Sequence, residues 1–312
     1  KQYRSAREIG TIFSEYAYNG LLEHARGDNL DLIELNKTIL KSVSVLKCPF
    51  DGAQNIYQPK QVESSSYQVY SLLFLFEFIR HLVKIIDGEW RIKKEVIKNA
   101  AGVAGKKALK NGADFEINNI EASIEEGVDD FNIEELNEKR WTIGIISPYK
   151  AQALALEKLF GSIGPLSNKV SIISGTVHGF QGDECDIIFA VMNMPKRLGP
   201  RSFINNRNIL NVAISRAKNY LIILTPDEQT YGYAKLSELQ AILKIIEDKI
   251  KGGYIEHKTP DIEKKEFGSA RYIFDNTFYT NHQKINVYNA HHHKYEVRVK
   301  DGENIDIHVH DS

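Results

Sequence analysis

Four short segments of this sequence combine arginine, hydroxyl, amide, glycine and carboxylate groups more densely than a folded scaffold requires. They are Gln2-Tyr3-Arg4, Ser147 to Gln152 (SPYKAQ), Thr176 to Glu184 (TVHGFQGDE) and Asn211 to Lys218 (NVAISRAK). Guanidinium groups make bidentate contacts with phosphate oxygens, and glycine lets the backbone approach a ligand closely. These segments hold the candidate functional residues, and phosphate recognition is the chemistry that their arginines suit.

Three of the segments adjoin short, continuous apolar runs, which lie at 142–146, 170–173, 186–191 and 220–224. Runs of this length suit strands that are buried on both faces. Helical patterns separate them at 149–160 and 208–218, and this alternation predicts an α/β fold with a doubly wound parallel sheet. Because ligands of such sheets bind at the carboxyl ends of the strands, we expect the functional segments there.

Three further helices are expected from the spacing of apolar residues. They lie at 9–22, at 67–86 with a cap offered by Ser64 to Ser66, and at 236–250. In the pattern that covers Leu210 to Ala217, Arg216 stays off the apolar stripe and near the helix end. This arginine is therefore free to reach across a cleft.

In their order and spacing, the four segments resemble motifs IV, IVa, V and VI of superfamily 1 helicases. The resemblance is closest to the 5′-to-3′ branch that contains the nonsense-mediated-decay RNA helicase and senataxin. It covers about residues 1–250 apart from an insertion, and it implies the second of two RecA-like domains of an ATP-dependent motor. It also implies ATP and magnesium as cofactors, and as partners single-stranded DNA or RNA and a first RecA-like domain.

On the nucleotide side, the resemblance implies that Arg4 and Arg216 stabilise charge on the γ-phosphate. Tyr3, beside Gln2, corresponds to an aromatic that stacks on adenine, and Gly182 and Glu184 belong to the part of motif V that faces the nucleotide. A surface salt bridge is the alternative for each arginine. For Tyr3 the alternative is a tyrosine packed in the core, and for Glu184 it is a solvated acid.

On the nucleic-acid side, the resemblance implies that the SPYKAQ segment contacts the nucleic-acid strand through Ser147, Pro148, Tyr149 and Gln152. Thr176 and His178 are the motif V counterparts, and Gln181 lies where it could couple the two sides. Tyr149 facing the core remains an alternative. For His178 we prefer a hydrogen-bonded loop histidine without a catalytic role.

The sequence contains no Gly-x4-Gly-Lys-[Ser/Thr] segment, which is the loop that cradles phosphates through backbone amides and a lysine. The resemblance therefore implies that the first domain supplies this loop and the magnesium ligands. Because the chain opens on Lys1 rather than on methionine, we expect it to start inside a longer protein. This chain alone is expected to hydrolyse no ATP.

The expected organisation is a motor domain over 1–252, with an insertion at about 87–140, and a small β-rich module over 253–312. In the module, alternating residues predict strands at 284–288, 295–299 and 305–309. A three-residue loop that ends in Gly302 would align the apolar residues of the last two strands on one face, whereas a two-residue loop would not. We expect the three-residue loop, and a module that packs on the motor or docks a partner protein.

That register gathers His292, His308 and His310 on one polar face of the module. A zinc or nickel site is one interpretation, and a solvated face is the other. We prefer the solvated face and predict no metal site.

Composition excludes several classes of protein. The 312 residues carry 40 basic and 41 acidic side chains, so nucleic acid can be attracted only by a local patch. With only Cys48 and Cys185, no disulfide framework or zinc knuckle is expected, which suits an intracellular, cytoplasmic protein. No apolar run approaches the roughly 20 residues of a membrane span, so no membrane is expected.

A rival hypothesis is a non-catalytic nucleic-acid-binding or scaffolding protein on a degenerate helicase fold. The two motifs that carry Arg4 and Arg216 argue against it, because both are intact.

Overall fold

A computed structural model gives the fold of the chain. From residue 277 onward, and at Val62, only the backbone is described. The structure describes residues 4–23, 26, 32–50, 56–62, 64–88, 140–180, 184–199, 202–281, 284–288, 293–299 and 305–311.

Fourteen strands lie in the described residues. In chain order they are β1 (Ile33–Glu34), β2 (Ile39–Leu40), β3 (Val43–Cys48), β4 (Lys60–Val62), β5 (Ser65–Tyr67), β6 (Trp141–Ser147), β7 (Val170–Thr176), β8 (Cys185–Val191), β9 (Ala217–Pro226), β10 (Tyr254–Lys258), β11 (Thr277–Asn281), β12 (Lys284–Tyr288), β13 (His293–Val299) and β14 (Ile305–Asp311). β1 pairs with β2, and β4 pairs with β5, as two small antiparallel ribbons.

A six-stranded parallel sheet forms the centre of the chain. Its strands lie in the order β10-β3-β9-β8-β6-β7, and every neighbouring pair is parallel. Nearly every residue of β8 and β9 is buried, as expected for central strands that are covered on both faces. The predicted RecA-like, doubly wound α/β fold is confirmed.

Within the described ranges, five longer helices accompany the sheet. They are α1 (Arg7–Tyr18), α2 (69–88), α3 (Lys150–Ser162), α4 (Arg207–Ser215) and α5 (Ser237–Lys249). Each was expected within a few residues of its position. α1 ends earlier than predicted because Asn19 adopts a left-handed conformation at φ 51°, followed by Gly20 at φ 75°.

Two helix ends differ from the prediction for physical reasons. Ser65 and Ser66 do not cap α2, because they pair with β4 as part of β5. α4 stops at Ser215 rather than at Lys218, because the backbone from Ala217 onward joins β9. Arg216 is thus the single residue between a helix and a central strand.

The boundary expected after Gly252 cuts off a strand of the central sheet. Residues Tyr254 to Lys258 form β10, which pairs in parallel with β3. Short helical turns follow at Thr259–Ile262, Glu263–Phe267 and Tyr272–Asp275.

A buried polar cluster ties these turns to the body of the sheet. The Tyr70 hydroxyl on α2 hydrogen-bonds the Glu263 carboxyl and lies 2.7 Å from Thr259 Oγ1, while Ile273 N donates to Glu263 Oε2 at 2.8 Å. Burial raises the pKa of Glu263 to about 7, although these hydrogen bonds lower it. Residues 254–276 are therefore part of the same folded body as α2 and β3.

The last four strands form an antiparallel sheet in the order β11-β12-β13-β14. Tyr295 pairs with Val309, Val297 with Ile307 and Val299 with Ile305, so the predicted same-face alignment is confirmed. Because Val299 pairs with Ile305, five residues separate the two strands rather than three. The five residues between these two strands lie outside the described residues. The same holds for His292 and for nearly all of the insertion at 87–140.

The connection from β7 to β8 is held against the sheet by one aromatic side chain. Phe180 is buried, and its ring lies over Gly144 of β6 and Gly175 of β7. A Cβ on Gly144 would lie 2.5 Å from Ile188 Cδ1 and 3.0 Å from Phe180 Cε1, and a Cβ on Gly175 would lie 3.0 Å from Phe180 Cδ2. The two glycines therefore provide the space that the ring occupies.

We predict that Gly144→Ala lowers the free energy of unfolding by about 1–3 kcal/mol, because the added methyl overpacks this contact. Gly161→Ala in α3 is the matched control, since a Cβ there meets nothing within 4 Å. It should be neutral or stabilising by up to about 1 kcal/mol. Urea denaturation of both variants measures the difference, and equal stabilities would contradict the packing described here.

Candidate functional site

The four candidate segments divide between opposite edges of the central sheet. Ser147 and Thr176 end β6 and β7, whereas Glu184 and Arg216 directly precede β8 and β9. All six strands are parallel, so the first pair lies at the edge where strands end and the second pair where strands begin. We call these the carboxyl edge and the amino edge. The expectation that all the segments meet at the carboxyl edge is therefore wrong for the nucleotide-side residues.

Two of the predicted nucleotide-side groups form an ion pair at the amino edge. Arg4 Nε lies 2.7 Å from Glu184 Oε1, with the Arg4 side chain 55% exposed and that of Glu184 19% exposed. The next residue, Cys185, donates its backbone N–H to the Arg216 carbonyl oxygen at 3.1 Å. The structure thus pairs Arg4 with Glu184 in a salt bridge, which was the alternative for Arg4, and places the Arg216 backbone next to Cys185; the nucleotide-side roles of these residues stay predictions.

Arg26 secures this arrangement, although it lies in none of the four candidate segments. Its Nη1 donates to the carbonyl oxygens of Arg4 at 3.0 Å and of Lys218 at 3.1 Å, and its Nη2 donates to Asn219 Oδ1 at 2.8 Å. Ala6 N also donates to the Lys218 carbonyl at 2.7 Å. The segment that carries Arg4 is therefore fixed to the start of β9.

A second group of hydrogen bonds holds the first residues of three strands together. Asp186 Oδ2 accepts from both Thr142 N and Thr142 Oγ1 at 2.9 Å, and Asp186 Oδ1 accepts from Asn219 Nδ2 at 3.1 Å. Asp186 follows Glu184 by two residues, so its role here is to hold the strands, while Glu184 faces Arg4. Sequence alone does not separate these two neighbouring acids.

Arg216 differs from Arg4 in having an unsatisfied polar atom. Its Nε is buried and has no hydrogen-bond partner among the described residues. A buried donor without a partner costs about 1–3 kcal/mol, and an anion that accepts from it removes that cost. The residues at this edge therefore fit a phosphate group.

Within the described residues, no group of three or more His, Cys, Asp or Glu side chains is arranged to hold a metal ion. Gln2, Tyr3, Gln181 and Gly182 lie outside the described residues, so their predicted roles stay predictions.

At the carboxyl edge, three predicted nucleic-acid contacts have their side chains inside the protein. Ser147, Tyr149 and Gln152 are all buried. Ser147 Oγ accepts from Tyr149 N at 3.1 Å, while Gln152 Oε1 accepts from Gln68 N at 2.9 Å and Gln152 Nε2 donates to Ser71 Oγ at 3.2 Å. The side-chain polar groups of Ser147 and Gln152 are thus used internally, and those of Gln152 join α3 to the start of α2. This corrects the expectation that these three side chains line a nucleic-acid strand.

The remaining predicted contacts do reach the surface of the carboxyl edge. Pro148 and Thr176 are half-buried and His178 is exposed. Thr176 Oγ1 accepts from Gly179 N at 3.3 Å, and Phe180 N donates to the Thr176 carbonyl oxygen at 3.1 Å, which shapes the turn that presents His178.

Among the described residues, no helix is both long enough and apolar enough to cross a lipid bilayer.

We predict that Gln152→Ala lowers the free energy of unfolding by about 1–3 kcal/mol, because it leaves the buried Gln68 N–H without its acceptor. His178→Ala, an exposed position in the turn after β7, should change the same quantity by less than about 0.5 kcal/mol. Chemical denaturation of the two variants gives the comparison. If Gln152→Ala were as stable as His178→Ala, the interior role of Gln152 would be wrong.

Comparison with known proteins agrees with this geometry. A family model described as "AAA domain" matches residues 1–228. A protein of Dictyostelium discoideum named a probable helicase is 40% identical over 84 residues, which is 26% of this chain and 8% of that protein. The "DNA polymerase alpha-associated DNA helicase A" of Saccharomyces cerevisiae is 33% identical over 93 residues, which is 30% of this chain and 13% of that protein.

"Helicase sen1" of Schizosaccharomyces pombe is 37% identical over 82 residues, which is 26% of this chain and 5% of that protein. The matched segments thus span between 5% and 13% of these relatives' own lengths. Because the family model covers most of the 312 residues, the chain belongs to the AAA domain family, and the relatives reported above all carry the name of a helicase.

Proposed function

We propose that this chain is the second RecA-like motor domain of an ATP-dependent superfamily 1 helicase. Its relatives support a helicase-like function. The observation that carries the finer proposal is the buried Nε of Arg216, which has no hydrogen-bond partner within the described part of the chain, at an edge that also presents the Arg4–Glu184 pair. Both arginines are predicted catalytic residues.

The position of Arg216 suits a residue that acts across a domain cleft. It is held from both sides, by the end of α4 and by the hydrogen bond from Cys185 N to its carbonyl oxygen. This leaves only the side chain to adjust when a phosphate group arrives. A guanidinium aimed at the γ-phosphate meets more charge in the transition state than in bound ATP, so it lowers the barrier more than it strengthens binding.

Arg4 is expected to assist from a less rigid position. Glu184 pairs with its Nε, and because the Arg4 side chain is 55% exposed, a ligand can approach the guanidinium. In the proposed hydrolysis reaction, the bond that is cleaved belongs to ATP. The phosphate loop and the magnesium ligands belong, in this proposal, to a first RecA-like domain, and Tyr3, Gln2 and Gly182 would lie along the nucleotide.

Nucleic acid is proposed to run along the carboxyl edge, past Pro148, Thr176 and His178. ATP hydrolysis would drive movement along a single strand, and the 5′-to-3′ direction rests on the resemblance alone. Gln181, within the connection between the two edges, would couple them. An intracellular, cytoplasmic location is proposed with the same function.

We predict that Arg216→Ala, made in the complete gene product, lowers ATP turnover by about 10³-fold or more, as expected for loss of an arginine finger. Nucleotide and single-strand binding should remain largely intact. The melting temperature should not fall, because the substitution also removes a buried donor that has no partner. Steady-state ATPase assays with and without single-stranded nucleic acid measure the effect.

Arg26→Ala is the matched control, because Arg26 holds the Arg4 segment through its carbonyl oxygen and has no proposed contact with ATP. It should lower stability, and its effect on turnover should be the smaller of the two. If Arg216→Ala kept more than about a tenth of wild-type turnover, against the loss expected of a finger, the arginine would be structural and the proposal would fail.

A further inference from the structure

An exposed aromatic ring at the carboxyl edge has no part in the function described so far. Phe203 lies in the connection from β8 to α4, in a short helical turn over Phe203–Asn205. It is 53% exposed, whereas the next residue, Ile204, is completely buried. The turn is thus anchored in the core by one side chain and presents the neighbouring ring to solvent.

The ring of Phe203 rests on a rigid support. Tyr149 lies beneath it, with ring centroids 6.4 Å apart and an angle of 77° between the planes. Tyr149 is buried at the start of α3, and burial raises the pKa of its hydroxyl, so the support stays neutral. Edge-to-face contacts of this kind stabilise aromatic pairs beyond the area that they bury.

The backbone that carries Phe203 is also fixed. Asn205 N donates to the Ser202 carbonyl oxygen at 2.8 Å, Gly199 N donates to Ser202 Oγ at 2.9 Å, and Asn205 Nδ2 donates to the Lys235 carbonyl oxygen at 2.9 Å. An exposed ring held in this way loses little conformational entropy when a ligand binds.

Positive charge lies in the same connection. Lys196 and Arg197 are exposed, and Lys196 N is held by Ser66 Oγ at 3.4 Å. By contrast Lys47, at the carboxyl end of β3, is only 9% exposed and lies between Glu228 and Glu256, with Nζ to carboxylate distances of 2.5 and 2.6 Å. Two exposed cations at this edge therefore lie in the segment that carries Phe203.

We propose that Phe203 is a platform on which a base of single-stranded nucleic acid stacks, with Lys196 and Arg197 near the phosphates of the same strand. This inference rests on the proposed function, because it takes the carboxyl edge as the path of the strand. Every base has a π-face, so such a platform gives affinity without sequence preference. Its position above Tyr149 also explains why the tyrosine of the SPYKAQ segment is buried: it supports the ring that binds.

The test is equilibrium binding of the chain to a short, fluorescently labelled oligothymidylate and to the same phosphodeoxyribose strand without bases. Phe203→Ala should bind oligothymidylate about tenfold more weakly, the loss expected for one stacked base. It should bind the abasic strand as the wild type does. Phe203→Trp should restore oligothymidylate binding.

Ile173→Ala is the matched control, because Ile173 is a 41% exposed apolar residue within β7 rather than at the carboxyl edge. It should leave binding to both strands unchanged. Melting temperatures of all the variants show whether each is folded. Phe203→Trp serves as a second, folded probe if Phe203→Ala is destabilised.

The outcomes separate this inference from the proposed function. If Phe203→Ala bound oligothymidylate as the wild type does, or lost affinity equally for the abasic strand, the stacking platform would be wrong while the motor assignment stood. If the wild-type chain bound neither strand even at low salt, the nucleic-acid path along the carboxyl edge would fail, and the platform with it.

Discussion

The contact of Phe180 with two strand glycines determines how the two edges of the sheet are joined. β7 ends at the carboxyl edge and β8 begins at the amino edge, so residues 177–184 must cross the full height of the sheet. The ring of Phe180 lies against Gly144 and Gly175, where no side chain blocks it. One connection therefore begins beside Thr176 and His178 and ends at Glu184, in contact with Arg4. Phe180 therefore packs this connection against the sheet.

The sequence predicted β6, β8 and β9 because these central strands are largely buried, and a continuous apolar run is the direct consequence of that burial. The edge strand β7 was also predicted, whereas β3 was missed although all six of its residues are buried, because Ser44 and Lys47 interrupt its apolar residues. The sequence misassigned β10 because this strand lies at the edge of the sheet, where Tyr254 to Lys258 are at most half-buried. The division of the candidate residues between the two edges of the sheet could have been predicted from the sequence, but it was not. Glu184 comes two residues before the apolar run at 186–191, and Arg216 comes four residues before the run at 220–224, which places both near the beginning of a strand.

The contacts of Gln152, Ser147 and Arg26 could not be predicted in the same way. Gln152 is satisfied by Gln68 and Ser71, which lie more than 80 positions away in the chain. A polar residue in a binding motif and a polar residue that joins two buried helices look identical until the fold brings their partners together. The motif at 147–152 accordingly serves the carboxyl edge in part indirectly: the buried side chains of Gln152 and Tyr149 hold α3 and support Phe203, while Pro148 and Lys150 reach the surface.

Hydrogen–deuterium exchange of the chain with and without a single-stranded oligonucleotide tests the separation of the two edges most directly. At low salt, where phosphate contacts are strongest, bound oligonucleotide should slow exchange in peptides that span 176–180 and 202–206 at the carboxyl edge. Peptides that span 184–187 and 215–219 at the amino edge should exchange as before. Slowed exchange confined to the amino-edge peptides would contradict the account, because it would place nucleic acid where the nucleotide-binding arginines lie.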